Sequence, residues 1–361
     1  MSITKTFRLS DLKYLMAYSG PLIAFFGIYI GGYWIYSNPF YVFVILPLLE
    51  SLLTRLGYDI SEEEEEEEEE DLVHWIFDIM LYLNFPITLL ILYLSINTII
   101  YTDFSTIEFV GLIITTGIVL SSHGINVAHE LCHRENVLEK SLGKIMLIPS
   151  LFMHFYLEHN FGHHLRVATK EDPVTAKYNE PLYLYWITTP IREIISAIEI
   201  QKNLLNRTKS SFFSIKNDLL FYLVIQSIYL FLITYFFGFY VLLFVLLSAF
   251  TSILLFESIN YIQHYGLLRE QNSSGRYERV RLIHSWNSNH IIGRIVLYEL
   301  TRHSDHHYKT TKKYQNLISF EEAPQLPYGY PTSILLAMVP WLWFKIMNPR
   351  IPKNMIMQLN N

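Results

Sequence analysis

A single cysteine, Cys132, stands among 361 residues. That excludes an internal disulfide framework, and equally a Cys-rich metal or electron-transfer domain. Charge is also scarce: Asp, Glu, Lys and Arg make up 17% of the chain, against roughly 25% in soluble domains. The formal net charge of −6 rests on one run of nine glutamates, Glu62 to Glu70, without which the balance turns to +3. Like charges this dense repel, so the stretch 61–71 reads as a solvated acidic loop. There is no basic stripe interleaved with aromatics, which argues against a nucleic-acid partner. What is abundant is apolar: 51% hydrophobic residues, with 26 Tyr and 24 Phe. Such a chain is neither disordered nor an ordinary soluble enzyme. It reads as a membrane protein.

A bilayer core takes about 20 apolar residues per helix. Residues 14–49 carry no Asp, Glu, Lys or Arg, enough for two spans with a turn at Ser37-Asn38-Pro39. Residues 79–102 and 109–128 are uncharged runs of 24 and 20 joined through Asp103, and 219–256 is an uncharged run of 38 broken at Gly238. The expected fold is all-α: six transmembrane helices in three hairpins, with a His-rich cytoplasmic cap. The first apolar stretch is too long for the core of a cleaved signal peptide. Segment 145–157 is too short to cross and reads as interfacial or re-entrant. Four prolines argue against a regular span over 323–344.

All 27 Lys and Arg fall within 1–13, at Arg55, within 125–218 and 263–331, or in the tail from Lys345. None remains for the hairpin tips near 38, 104 and 238. The positive-inside rule then turns those tips outward and leaves both termini and both long loops in the cytoplasm. The expected organisation is four spans with the acidic loop in 1–128, a cytoplasmic segment in 129–218, two spans in 219–262, and a second cytoplasmic segment in 263–361. The protein is expected to be multi-pass in the inner (cytoplasmic) membrane.

Eight of the 14 histidines form three clusters: His129-Glu130-Leu131-Cys132-His133, Glu158-His159-Asn160-Phe161-Gly162-His163-His164, and His303-Ser304-Asp305-His306-His307. A ninth, His264, follows the last apolar run. Positions i and i+4 share a helix face, which pairs His129 with His133, His159 with His163, and His303 with His307; His306 joins His303 at i+3. The second member of each His-His pair points elsewhere and could serve another ion. Neutral imidazoles suit Fe, Cu, Ni and Zn, and nine are too many for one metal. An alternative stays open, because His129-Glu130 and His133 also match HExxH, a zinc protease signature with Glu130 as base. Such a site uses three protein ligands and would leave six histidines idle. His284 and His290 read as structural or near-site polar residues, and His74, His123 and His154 as ordinary ones.

The boxes HELCHR, EHNFGHH, NYIQHYGL and LTRHSDHH resemble those of the membrane-bound non-haem di-iron alkane 1-monooxygenases, relatives of the fatty-acid desaturases and xylene monooxygenase. The likeness extends to Arg166-Val167-Ala168-Thr169, Glu171-Asp172-Pro173, the stretch from His284 to His290, and Ala323 to Pro327, and covers roughly 120–350. It implies a six-span fold with two irons held by His129, His133, His159, His163, His164, His264, His303, His306 and His307. Gln263 stands where the family usually has Glu, and Cys132 where Gly is frequent. Asp172, Glu158 and Asp305 are candidates for orienting the imidazoles.

The reaction so implied is R–CH₃ + O₂ + 2e⁻ + 2H⁺ → R–CH₂OH + H₂O, on an n-alkane drawn from the bilayer. Fatty-acyl or alkylaromatic substrates, hydroxylated or desaturated by the same core, form the alternative. Phe25, Phe26, Gly31, Gly32 and Trp34 are candidates for lining the substrate route, or else face lipid. A rubredoxin iron needs four Cys, so a separate rubredoxin and its reductase are expected as partners. Arg276, Arg279, Arg281, Lys309, Lys312 and Lys313 would attract an acidic carrier.

Overall fold

The computed structural model describes residues 9–58 and 75–357. The acidic loop and His74 lie outside the described residues. Among the described residues there is no β-strand, and only two isolated bridges, Gln271 with Tyr277 and Asn287 with Gln325. A segment in hydrocarbon must satisfy its amides internally, and helices do so.

A 3₁₀ stretch, Leu9–Tyr18, leads into α1 (Ser19–Ile30). Among the described residues four stretches are long and apolar enough to cross a membrane: α2 (Gly32–Arg55), α3 (Trp75–Tyr101), α4 (Thr106–Cys132) and α6 (Asp218–His264), with α5 (Leu182–Arg207) between the last two. The 47 residues of α6 form two limbs, because Gly238 at φ 84° and ψ 174° leaves the helical region. Only glycine adopts that conformation readily. The first reversal falls at Gly31-Gly32, with φ 78° and 60°, rather than at Ser37-Asn38-Pro39. Adjacent glycines take positive φ without a Cβ clash, whereas Pro39 fits the opening turn of a short helix, Ser37–Phe40, where its missing N–H costs little. After Asp103, Ser105 and Glu108 cap the start of α4 reciprocally.

The outer faces of these helices are apolar: Leu22, Phe26, Leu90, Tyr93, Phe231 and Phe250 are all exposed. In a soluble protein so much exposed apolar surface would drive association; here it is the lipid-facing surface of a multi-pass membrane protein. Inward, α4 and α6 pack closely at Gly117, where a Cβ would stand 2.6 Å from Thr251 Cγ2.

Two buried clusters flank the helix ends that carry the histidines. One holds Tyr14, Phe77, Met80, Phe152, Phe155 and Phe256. The other holds Tyr261, Tyr265, Trp286, Tyr330 and Trp343. Segment 145–157 belongs to the first, with Met146, Leu147 and Leu157 buried and Leu151 left-handed at φ 54°. Its apolarity packs behind the second histidine box. Beyond α7 (Ile291–Val296) and α8 (His303–Tyr308), the proline-rich stretch forms two eight-residue helices, α9 (Tyr330–Ala337) and α10 (Pro340–Met347).

Candidate metal centre

Four elements bring the nine histidines together. The end of α4 carries His129 and His133, and the end of α6 carries His264. A single π-turn, His159–His163, with His164 directly after it, supplies the second box, and α8 the third. The position of α8 is fixed from outside: Asn287 Oδ1 accepts the Ser304 amide at 2.7 Å, and Ser304 Oγ donates to the Ser285 carbonyl at 2.7 Å. The amide of Asn287 donates to the Pro324 carbonyl at 2.8 Å, and the Leu326 amide to the Asn287 carbonyl at 2.7 Å. The motifs flanking the boxes are thus the frame that seats α8.

Ligand-capable nitrogens of His129, His133, His159, His164 and His306 lie within 4.8 Å of one another, and those of His163, His264, His303 and His307 form a second such group. The groups adjoin, with the His164 and His307 rings 4.6 Å apart. Each His-His pair is split between them. The expected i, i+4 pairing of His159 with His163 does not hold. A π-turn advances about one residue further per turn, so His159 meets His164 at 2.9 Å, Nε2 to Nε2, while His163 joins the other group. His303 and His307 do share a group, 3.0 Å apart.

The nitrogen pattern fits metal ions. Nε2 atoms of His133, His159 and His164 stand 2.9, 2.9 and 3.1 Å apart, and those of His264 and His307 lie 3.0 Å from His303 Nε2. Three imidazoles aiming Nε2 at one another cannot all be paired, since a neutral ring has one N–H. Nitrogens about 2.1 Å from one ion and at right angles about it stand about 3.0 Å apart. Nε2 atoms of His129, His163 and His306 are buried without a partner, again suited to a cation. Burial holds His159, His164, His303, His306 and His307 well below the usual imidazole range, which keeps them neutral. For His163 burial acts the same way, but the Asp172 carboxylate outweighs it and draws the ring upward.

Of the three carboxylates expected to orient imidazoles, Asp172 touches one. Its Oδ2 accepts from His163 Nδ1 at 3.0 Å and from Thr175 Oγ1 at 2.6 Å. Glu158 instead pairs with Arg166 at 2.9 Å and accepts from Ser196 Oγ at 3.2 Å. Asp305 receives Lys312 Nζ and the Ile318 amide, both at 2.8 Å, and so ties down the chain after α8. Glu130, the base of the protease reading, is held by Arg134 at 2.8 Å and the Tyr314 amide at 3.1 Å. Gln263 Nε2 donates to Tyr330 Oη at 2.9 Å. His284 accepts the Arg281 amide and pairs with Glu278.

A cavity of about 90 Å³ opens between the spans, lined among others by Gly20, Val42, Ile118, His123, Leu255 and Leu297. None of Phe25, Phe26, Gly31, Gly32 or Trp34 lines it. His123 is a cavity residue that its lone position in sequence did not signal; its Nδ1 faces Asn84 Oδ1 at 2.9 Å.

Apolar spans ending on buried imidazoles define an integral-membrane protein whose histidines fit a non-haem iron site. Comparison with known proteins gives the branch. The model of the family "Fatty acid desaturase" matches residues 105–335. An alkane 1-monooxygenase of Acinetobacter baylyi is 43% identical over 227 residues, covering 63% of this chain and little more than half, 56%, of that protein. Alkane 1-monooxygenase 2 of Alcanivorax borkumensis is 33% identical over 333 residues, 92% of this chain and 87% of that protein. The hydroxylase component of a xylene/toluene monooxygenase of Pseudomonas putida is 25% identical over 343 residues, 94% of this chain and 88% of that one. The chain belongs to the fatty acid desaturase family, in its alkane 1-monooxygenase branch.

Proposed function

We propose that this protein hydroxylates n-alkanes at the terminal carbon, giving 1-alkanols, at a centre of two irons held by the nine histidines. The observation that carries this reading is the pair of adjoining imidazole groups, five and four strong, with nitrogens about 3 Å apart. A lone catalytic zinc keeps three protein ligands, and Glu130 is engaged with Arg134, so proteolysis is disfavoured. The likeness to a xylene/toluene monooxygenase component favours an alkylaromatic hydroxylase as the competing reading, with fatty-acyl chemistry beside it.

When bound, iron supplies reductive activation of dioxygen, with one oxygen atom entering a methyl C–H bond and the other leaving as water. The rest falls to the chain. A substrate without polar handles binds by apolar burial, worth about 0.8 kcal/mol per CH₂, and the cavity between the spans offers that burial. Seven of the nine imidazoles are buried, and this excludes bulk water from the reacting region. Asp172, accepting the Nδ1 proton of His163, leaves its Nε2 lone pair for the metal.

Electrons come from a partner, which we take to be a rubredoxin served by a reductase; these 361 residues, with one cysteine, do not themselves hold a rubredoxin iron. Arg276, Arg279 and Lys309 are exposed and suited to docking it, and Arg281, though paired with Glu278 at 2.8 Å, keeps more than half of its side chain exposed. Lys312 and Lys313 are engaged with Asp305 and Asp78 and drop out of the expected patch. Counting α1 and α2 as one hairpin, α3 and α4 as the next and the two limbs of α6 as the third, six spans and the positive-inside rule put the centre on the cytoplasmic side of the inner membrane.

The test is conversion of octane by cells supplied with rubredoxin and reductase, beside metal analysis of the purified protein. Wild type yields 1-octanol and two Fe per chain; His306→Ala loses both. One zinc per chain, or iron without product from octane, overturns the reading.

A further inference from the structure

Leu297 is one of the residues that line the cavity. Its carbonyl accepts Asn126 Nδ2 at 3.1 Å, and Asn126 is buried. Asn126 itself lines a second void of about 10 Å³, together with His129, Glu130, Tyr298 and His306 among others. That volume is about the room of one water molecule, too little for a methyl group. One hydrogen-bonded pair, Leu297 on the apolar cavity and Asn126 on the void of His129 and His306, therefore joins the two linings.

The wall is stiff. Tyr298 and Glu299 are both left-handed, with φ 53° and 56°, a conformation bulky residues hold only when their surroundings over-determine it. The surroundings here do. Asn84 Nδ2 donates to Tyr298 Oη at 2.9 Å, Tyr14 Oη donates to Glu299 at 2.9 Å, and Arg294 Nε reaches Glu299 at 2.7 Å. Burial alone would raise the Glu299 carboxyl, yet Arg302 and Arg294 hold it down to about 2. The turn that bears Leu297 continues, six residues later, into α8 and its histidines. Wall and ligand helix are therefore set by one rigid piece of backbone.

We propose that Asn126 and Leu297 form a threshold that sets how far an alkane end advances toward the metal centre, and hence which carbon is oxidised. The inference rests on the reading of the chain as an alkane hydroxylase. Leu297 stops the chain end, and Asn126 positions Leu297 by holding its carbonyl. With the threshold in place, only the outermost carbon reaches the His129 and His306 face. A shorter side chain at 297 lets the chain slide deeper and presents the second carbon as well.

The experiment compares wild type, Leu297→Ala, Leu297→Met and Asn126→Ala on octane, with iron per chain and the octane-induced rise in melting temperature of the metal-free protein as controls. Leu297→Ala should raise the ratio of 2-octanol to 1-octanol about tenfold or more, the scale on which an apolar pocket discriminates methylenes. Asn126→Ala should move the ratio the same way by less, and Leu297→Met should keep it. Iron content and the melting shift should persist in all. A wild-type ratio in Leu297→Ala with iron retained overturns the threshold. If Leu297→Ala loses iron, an unchanged ratio in Asn126→Ala overturns it instead. Iron-loaded wild type that makes no octanol removes the functional reading itself; wild type that makes 1-octanol, with unresponsive variants, removes the threshold alone.

Discussion

Asp172 has one task that neither Glu158 nor Asp305 shares, because it alone of the three bonds an imidazole. An outer carboxylate of this kind fixes ring orientation and raises ligand basicity. Asp172→Ala should lower metal affinity about 10- to 100-fold, read as iron retained per chain against a graded chelator. Asp305→Ala should leave that titration in place and lower the melting temperature, since it frees Lys312 and the Ile318 amide. Equal iron loss in both variants would contradict the distinction. The three carboxylates look alike in sequence because each sits within a few residues of a histidine pair or of its flanking motif. Which one touches a ring depends on where Thr175, Arg166 and Lys312 fall in space.

At the level of elements, α4 and α6 carry His129, His133 and His264, so the distance between these helices sets the spacing of the two imidazole groups. Gly117 permits the approach, against Thr251 Cγ2 at 2.6 Å and the Ser248 carbonyl at 3.3 Å from a would-be Cβ. Neither neighbour can swing aside, one being short and β-branched and the other backbone. Gly117→Ala should therefore cost about 1–3 kcal/mol of stability, measured by thermal melting in detergent, with partial loss of bound iron. Unchanged melting would mean that the helices are not packed there. Hydropathy marked these helices, yet the π-turn at His159–His163 carries no such signal. A π-turn is stabilised by what surrounds it, so a periodicity of 3.6 residues misassigned His163.

Over the whole molecule, charge separates the solvated end from the lipid-facing belt, and the exposed Arg276, Arg279, Arg281 and Lys309 lie in the solvated part. Electrostatic steering of an acidic carrier weakens with salt. Reversing Arg276 and Arg279 to Glu should raise the KM for rubredoxin roughly tenfold at low salt and flatten its salt dependence, while iron content holds. An unaltered KM and salt slope would place docking elsewhere.

Composition and spacing by themselves determined the class: uncharged runs long enough to cross a bilayer, and histidines too numerous for one ion. Those are properties of local chain, set by hydrocarbon thickness and by the chemistry of imidazole. Tertiary structure decided the rest: the reversal at Gly31-Gly32, the division of the nine rings into five and four, the carboxylate that holds His163, and the wall at Leu297. The reversal is made locally by two adjacent glycines, and only their conformation revealed it; the others depend on groups from separate elements meeting at about 3 Å, which no single stretch of residues encodes.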